Sequence, residues 1–219
     1  LLGWPKATGI VCDIGGSSLE LAYLENGKIK TAQSFELGPL ALQDYHVLGK
    51  SKLEVIKLKL SKINKSFPNK INSLFLVGGC WRGLAKIHMN LTNYPLKVLQ
   101  GYKVSVKNFD PTLEFISNTK NTELLQITSS SEERVKLLPD ACIVLKAIYE
   151  KFCPRELFFS GYGIREGIIF CQFSNEIKKL DPLLQACLYL EKNISRYSGF
   201  GKILFEWLLP IFPKIDNKQ

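Results

Sequence analysis

A carboxylate, two glycines and two hydroxyls fall within one short stretch near the start of the chain, Asp13-Ile14-Gly15-Gly16-Ser17-Ser18, and a second carboxylate, Glu20, follows two residues on. The two glycines let the backbone approach a ligand closely, and the N–H and O–H groups of Ser17 and Ser18 converge with theirs on one point. Such a concave set of donors suits the oxygens of a phosphate. Carboxylates beside it suit a divalent cation, since Mg²⁺ is held by one or two carboxylates together with water and phosphate oxygens. The alternative is a plain tight hairpin, with glycine supplying the turn and serine solvating it.

A second stretch, Gly78-Gly79-Cys80-Trp81-Arg82, has the same potential. Strand, glycine pair and helix start leave free N–H groups and a positive dipole end at one place. Arg82 adds a cation able to hold an oxyanion in two bonds; an ordinary strand-to-helix turn is the plainer reading. A third run, Gly161-Tyr162-Gly163-Ile164-Arg165-Glu166-Gly167, misses the dinucleotide-binding glycine spacing by one residue. Arg165 and Glu166 read equally as a structural ion pair or as groups facing a ligand. His46 and His88 are the only histidines, so a metal site built on imidazoles is not indicated. His88 reads as a packing or capping residue.

The elements that must position these residues follow from periodicity. Ile10–Cys12 reads as a buried strand, and alternation through Leu19, Leu21, Tyr23 and Leu24 as a second strand folding back on it. Asn26-Gly27 fits a type I′ turn into a third strand, 29–37. The stripe Leu53, Ile56, Leu60, Ile63, Phe67 predicts a helix over 51–67, and 71–77 a strand leading into the Gly78-Gly79 turn and a helix. A strand over 101–106 comes next. Asp110-Pro111 reads as the start of a further helix, and Ser130-x-x-Glu133 as a capping box. The stripe Ala141, Val144, Leu145, Ile148, Phe152 marks a buried helix, and 157–160 a core strand. Near residue 174 the pattern changes to helices, around 181–194 and 202–209, which sets a soft domain boundary at 174–180.

The composition, with 46% hydrophobic and 22% charged residues over 219 positions, is that of a globular chain and excludes disorder. A net charge of +9 favours a polyanionic partner without choosing among nucleic acid, headgroups and phosphate-rich substrates. Seven lysines between residues 50 and 70 read as a solvated face; the one aromatic residue among them, Phe67, belongs to the apolar stripe, so nucleic-acid stacking has no support. No apolar run reaches the ~20 residues of a membrane span. Six cysteines without a C-x-x-C pair, several of them inside apolar runs, read as reduced core residues of a cytoplasmic protein.

Taken together and in order, Asp13–Leu21, Val77–Ala85, Leu138-Pro139-Asp140-Ala141 and Ser160–Gly167 resemble the exopolyphosphatase/guanosine pentaphosphate phosphohydrolase (Ppx/GppA) family. The resemblance implies the actin-like ATPase/sugar-kinase/Hsp70 superfold, a ribonuclease H-like α/β domain with a mixed sheet flanked by helices. It places 1–174 as the family's second domain and 175–219 as part of a helical C-terminal module. The first domain, with its own phosphate loop and a glutamate that activates water, matches no stretch of the chain.

By the same resemblance Asp13 and Glu20 hold Mg²⁺ and are the catalytic carboxylates, and Gly15, Gly16, Ser17, Ser18, Gly78, Gly79 and Arg82 bind phosphate. Two positions depart from the family pattern: Ser17 stands where a third glycine is usual, and Leu19 where threonine is frequent. The implied activity is release of terminal phosphate from inorganic polyphosphate or guanosine pentaphosphate, with the chain by itself inactive and homodimer formation open. A regulatory module that binds guanosine tetra- or pentaphosphate or polyphosphate without hydrolysing it is the alternative. A kinase of the same superfold would need an acceptor-sugar signature, and none is present.

Overall fold

The computed structural model describes residues 6–43, 50–128 and 130–211. His46 lies outside them, as does the polar tail beyond Ile211. The described residues form two compact units, one ending at Ile168 and the other beginning at Ile169.

The first unit is built on six strands: β1 (Gly9–Ile14), β2 (Leu19–Glu25), β3 (Lys28–Phe35), β4 (Ser73–Val77), β5 (Tyr102–Ser105) and β6 (Glu156–Phe159). Their order across the sheet is β3-β2-β1-β4-β6-β5. β1, β2 and β3 form an antiparallel meander, β1, β4 and β6 run parallel, and β5 returns antiparallel along β6. At the β2–β3 turn Asn26 and Gly27 both have positive φ, 51° and 77°, as the Asn-Gly pair predicts.

The helices that follow in chain order are α1 (Pro39–Gln43), α2 (Lys52–Leu60), α3 (Gly79–Leu91), α4 (Val106–Asn118), α5 (Asn121–Ile127), α6 (Glu132–Val135), α7 (Leu138–Phe152) and α8 (Ile164–Cys171). Alternation sends Ile10, Cys12, Leu74, Leu76, Leu157 and Phe159 to one face of the sheet, where they join Trp81, Leu84, Phe109, Leu145 and Ile148 from the helices in a single core. The opposite face carries a small cluster of Ala7, Leu24 and Phe75, with Val11 and Phe158 packed against it. In the second unit α9 (Asn175–Lys178), α10 (Pro182–Ile194) and α11 (Phe200–Leu208) are joined by short connections and end in a 3₁₀ turn.

Three helix boundaries differ from the sequence expectation. α2 stops at Leu60, because Ser61 and Asn64 divert the backbone: Ser61 Oγ donates to the Leu58 carbonyl, and Asn64 Oδ1 accepts from the N–H of Ser66. Phe67 is buried all the same, from a loop. α4 starts before Asp110-Pro111, since Ser105 Oγ accepts from the Asn108 N–H and Phe109, Leu113 and Ile116 form the buried stripe. Pro111 therefore sits inside the helix, at the expense of one backbone bond. α6 has Ser131 at its N-cap position, one residue after the expected cap, and no side-chain cap bond.

The lysine run is largely a solvated face, with Lys50, Lys57, Lys62, Lys65 and Lys70 exposed, and three of its members make ion pairs: Lys52 meets Asp140 at 2.6 Å, Lys57 meets Glu150 at 2.6 Å and Lys59 meets Glu36 at 3.7 Å. The first two pairs seat α2 on α7. Three of the six cysteines, at 153, 171 and 187, are exposed rather than in the core.

Trp81 ties helix to sheet. It is fully buried, and its Nε1 donates to the Cys12 carbonyl at 3.1 Å. Trp81→Ala is expected to cost about 3–5 kcal/mol in urea unfolding, with Trp81→Phe retaining much of that; equal midpoints for wild type and Trp81→Ala would refute this anchoring.

Candidate active site

The carboxyl ends of the three parallel strands bring three loops to one edge of the sheet, the usual position of a ligand site in such sheets. The register pairs Asp13 with Val77, so the loop after β1 and the glycine pair after β4 are neighbours. Leu76 pairs with Phe159, which sets Ser160-Gly161-Tyr162 beside them.

The loop 15–18 is closed by its own backbone, Gly15 N–H to Ser18 C=O at 2.9 Å. Its outer carbonyls are taken by the chain entering α1: Gly38 N–H donates to Ser17 C=O at 3.0 Å, and Leu40 N–H to Gly16 C=O at 2.8 Å. Gly38 is required by closeness, because a Cβ there would fall on the backbone of Gly16 and Ser17. Among the described residues, the N–H groups of Gly16, Ser17 and Ser18 have no acceptor. They remain available to a ligand.

Gly78 precedes α3 with φ +119°, a conformation that L side chains rarely adopt. A Cβ on it would lie 2.6 Å from the Ile14 carbonyl and 3.1 Å from Asp13 Oδ1, so glycine is what allows β4 to end against β1. No side chain caps α3, which leaves its first-turn N–H groups open. Arg82 braces this turn. Its Nε donates to the Gly78 carbonyl at 3.3 Å and its guanidinium NH1 to the Gly161 carbonyl at 3.2 Å, joining the second loop to the third.

Asp13 and Glu20 are cross-strand partners on one face of the β1–β2 hairpin. Burial raises the Asp13 carboxyl above its usual range; the Glu20 charge pushes it further and Arg82 opposes. Glu20 is exposed and accepts from Ser34 Oγ at 3.2 Å. Two adjacent carboxylates beside open N–H groups are a donor set that fits Mg²⁺, a hard cation needing few protein ligands. Among the described residues no group of three or more His, Cys, Asp and Glu side chains forms a closed metal cage.

Arg165 and Glu166 do not pair with each other. Glu166 Oε2 accepts from the Gly163 N–H at 2.7 Å, and this bond first of all lowers its carboxyl pKa. Two contributors to the site carry little sequence signal. Gln100 Oε1 accepts from the Gly161 N–H at 2.9 Å and so fixes the third loop from β5's approach, and Gly38 seats the first. Neither belongs to a motif; each acts through a contact far along the chain. Cys80, in the first turn of α3, is a thiol with its pKa pushed up to about 11 by burial, against the nearby Arg134 charge.

A mixed six-stranded sheet flanked by helices, with glycine loops at the ends of its parallel strands, is the architecture of the actin-like ATPase fold. The sequence model of the Ppx/GppA phosphatase family matches residues 1–176, and the chain belongs to that family. Among solved structures it is similar to an exopolyphosphatase from Cytophaga hutchinsonii, with TM-score 0.64 and 19% identity over 76% of this chain and 57% of that one. It is similar also to the Aquifex aeolicus PPX-GPPA enzyme, with TM-score 0.61 and 21% identity over 75% and 57%. The type II variant of the Aquifex aeolicus Ppx/GppA phosphatase gives TM-score 0.62 and 17% identity over 77% and 59%. The chain thus spans less than two thirds of the length of these structures, and the likeness at such identities is one of fold. No curated protein matches the chain in sequence.

The raised Asp13 pKa has a signed consequence. A carboxyl whose folded pKa lies above its unfolded value of about 3.9 stabilises the fold below that value and loses the contribution as pH rises through the folded pKa. Asp13→Asn is therefore expected to be at least as stable as wild type at pH 7, with the difference in melting temperature shrinking towards pH 4. A variant less stable than wild type at pH 7 would contradict the burial described. Gly38→Ala should lower the melting temperature and weaken phosphate binding together, because the inserted methyl displaces the 15–18 loop; calorimetry on the same sample reads both.

Proposed function

We propose that this chain forms the phosphate- and metal-binding half of a phosphohydrolase that removes the terminal phosphate of inorganic polyphosphate or guanosine pentaphosphate by attack of water. The observation that carries this reading is the meeting of two sets of unsatisfied N–H groups, from the 15–18 loop and the first turn of α3, around the carboxylate pair Asp13 and Glu20. Membership of the Ppx/GppA phosphatase family supports the same class of reaction.

Phosphoryl transfer leaves the protein little covalent work, so positioning and charge neutralisation dominate. Gly16, Ser17 and Ser18 on one side, and Gly79 and the α3 dipole on the other, bind and orient the phosphoryl oxygens. One such preorganised donor is typically worth about 2.7–4 kcal/mol of barrier. Arg82 ties the α3 wall to the Ser160–Tyr162 loop and adds positive field. Asp13 and Glu20 would hold Mg²⁺, which when bound supplies neutralisation of charge on the phosphoryl oxygens. With both carboxylates committed to the cation, a base for the attacking water has to come from another residue. The family resemblance assigns it to a glutamate of a domain that no stretch of this chain matches, so the 219 residues bind the anion without turnover in this reading.

The test uses the purified chain with a defined polyphosphate and Mg²⁺. Saturable, Mg²⁺-dependent binding is expected, weakened about tenfold or more by Ser18→Ala or Arg82→Ala, with no release of inorganic phosphate. Brisk phosphate release from the wild-type chain would overturn the half-site assignment. Binding indifferent to Mg²⁺ and to both variants would overturn the site itself.

A further inference from the structure

A surface hollow lies at the other end of α3 from the glycine loops. It is an open hollow of about 510 Å³, lined by His88, Tyr94, Tyr102, Lys107, Asn108 and Pro111 among others. At 1.5 Å per residue, His88 stands about 14 Å along the helix from Gly79, so the cavity shares an element with the phosphate loops but none of their residues.

Its chemistry is specific. His88 is only 4% exposed, and its Nδ1 is 2.7 Å from Thr112 Oγ1. Its other ring nitrogen, Nε2, has no partner among the described residues, although the ring lines the cavity. Burial lowers the imidazole pKa, which favours the neutral ring. Aromatic rings fix its surroundings: Tyr102 lies 6.1 Å from His88 and 4.8 Å from Tyr94, edge to face with the latter. Lys107, in the first turn of α4, makes no ion pair with any described residue, and Asn108 follows it with a side-chain amide. Pro111 cannot donate to the Lys107 carbonyl, which removes that acceptor's usual helical partner.

We propose that this cavity binds a mononucleotide-like anion: a flat heteroaromatic ring against Tyr94, hydrogen-bonded to His88 Nε2, with its anionic group met by Lys107. The aromatic walls select a planar group, the buried nitrogen selects one with ring donors or acceptors, and the lone ammonium at the rim selects a negative charge. The site is separate from the catalytic reading above and stands without it.

The probes are AMP and GMP, titrated calorimetrically into the purified chain, with adenosine and inorganic phosphate as the two halves of the ligand. Saturable binding of at least one nucleotide is expected, with each half at least about tenfold weaker. Lys107→Ala and Tyr94→Ala, both on accessible positions, should each weaken it about tenfold, and His88→Gln should weaken it while circular dichroism stays native. Arg82→Ala should leave it unchanged. Absence of saturation up to about 5 mM would overturn the proposal. So would binding abolished by Arg82→Ala and untouched by Lys107→Ala, since the nucleotide would then sit by its phosphate in the glycine loops.

Discussion

The parallel pairing of β1 with β4 is the constraint on which the rest depends. One register, Asp13 opposite Val77, puts the carboxylate, the 15–18 loop and the α3 N-terminus side by side. A slip of one residue would turn Asp13 toward the core face and carry Cys12 out of it. Several independent contacts hold that register. Trp81 hangs from the Cys12 carbonyl, Gly78 leaves room for the end of β1, and Arg82 extends the tie to β6 through Gly161. Each is a contact between elements well separated in sequence, and together they make the edge of the sheet rigid where a ligand would need it.

That rigidity explains how the site tolerates open backbone donors. Buried N–H groups without partners are costly, yet those of Gly16–Ser18 and the α3 first turn sit at the sheet's edge where water reaches them. The carbonyls of the same loop are satisfied by Gly38 and Leu40, so the loop presents donors outward and acceptors inward. A loop polarised in this way favours an anion. The departure of Ser17 from the family's usual glycine costs nothing visible here, as the residue contributes an N–H and its carbonyl is used by Gly38.

The local parts of this arrangement could be read from the chain alone: the Asn26-Gly27 hairpin, the Gly-Gly strand ends and the buried stripe of α7 are patterns complete within a few residues. What could not be read were contacts that no period encodes. Gln100 looks like an ordinary polar loop residue until β5 lies antiparallel to β6 and its amide oxygen reaches Gly161. Pro111 looks like a helix start because proline tolerates that place, and only the cap at Ser105 with the burial of Phe109 shows that the helix began a turn earlier. The lysine run looks like an exposed charged face and largely is one; the acids that pair with three of its lysines, Glu36, Asp140 and Glu150, come from both sides of it in sequence.

The meander and the parallel strands also differ in how far the chain must travel to close them. β1, β2 and β3 pair through turns of a few residues, whereas β4 joins β1, and β6 joins β4, from far along the chain. Local pairs cost little loop entropy and form fast, while distant parallel pairs are slow. The carboxylate pair Asp13 and Glu20 therefore belongs to an early hairpin, and the α3 wall that faces it is a late arrival. Competence to hold an anion between the two walls becomes a readout of complete folding: a chain stalled at the meander would display both carboxylates and half of the donors, with nothing yet to close over them.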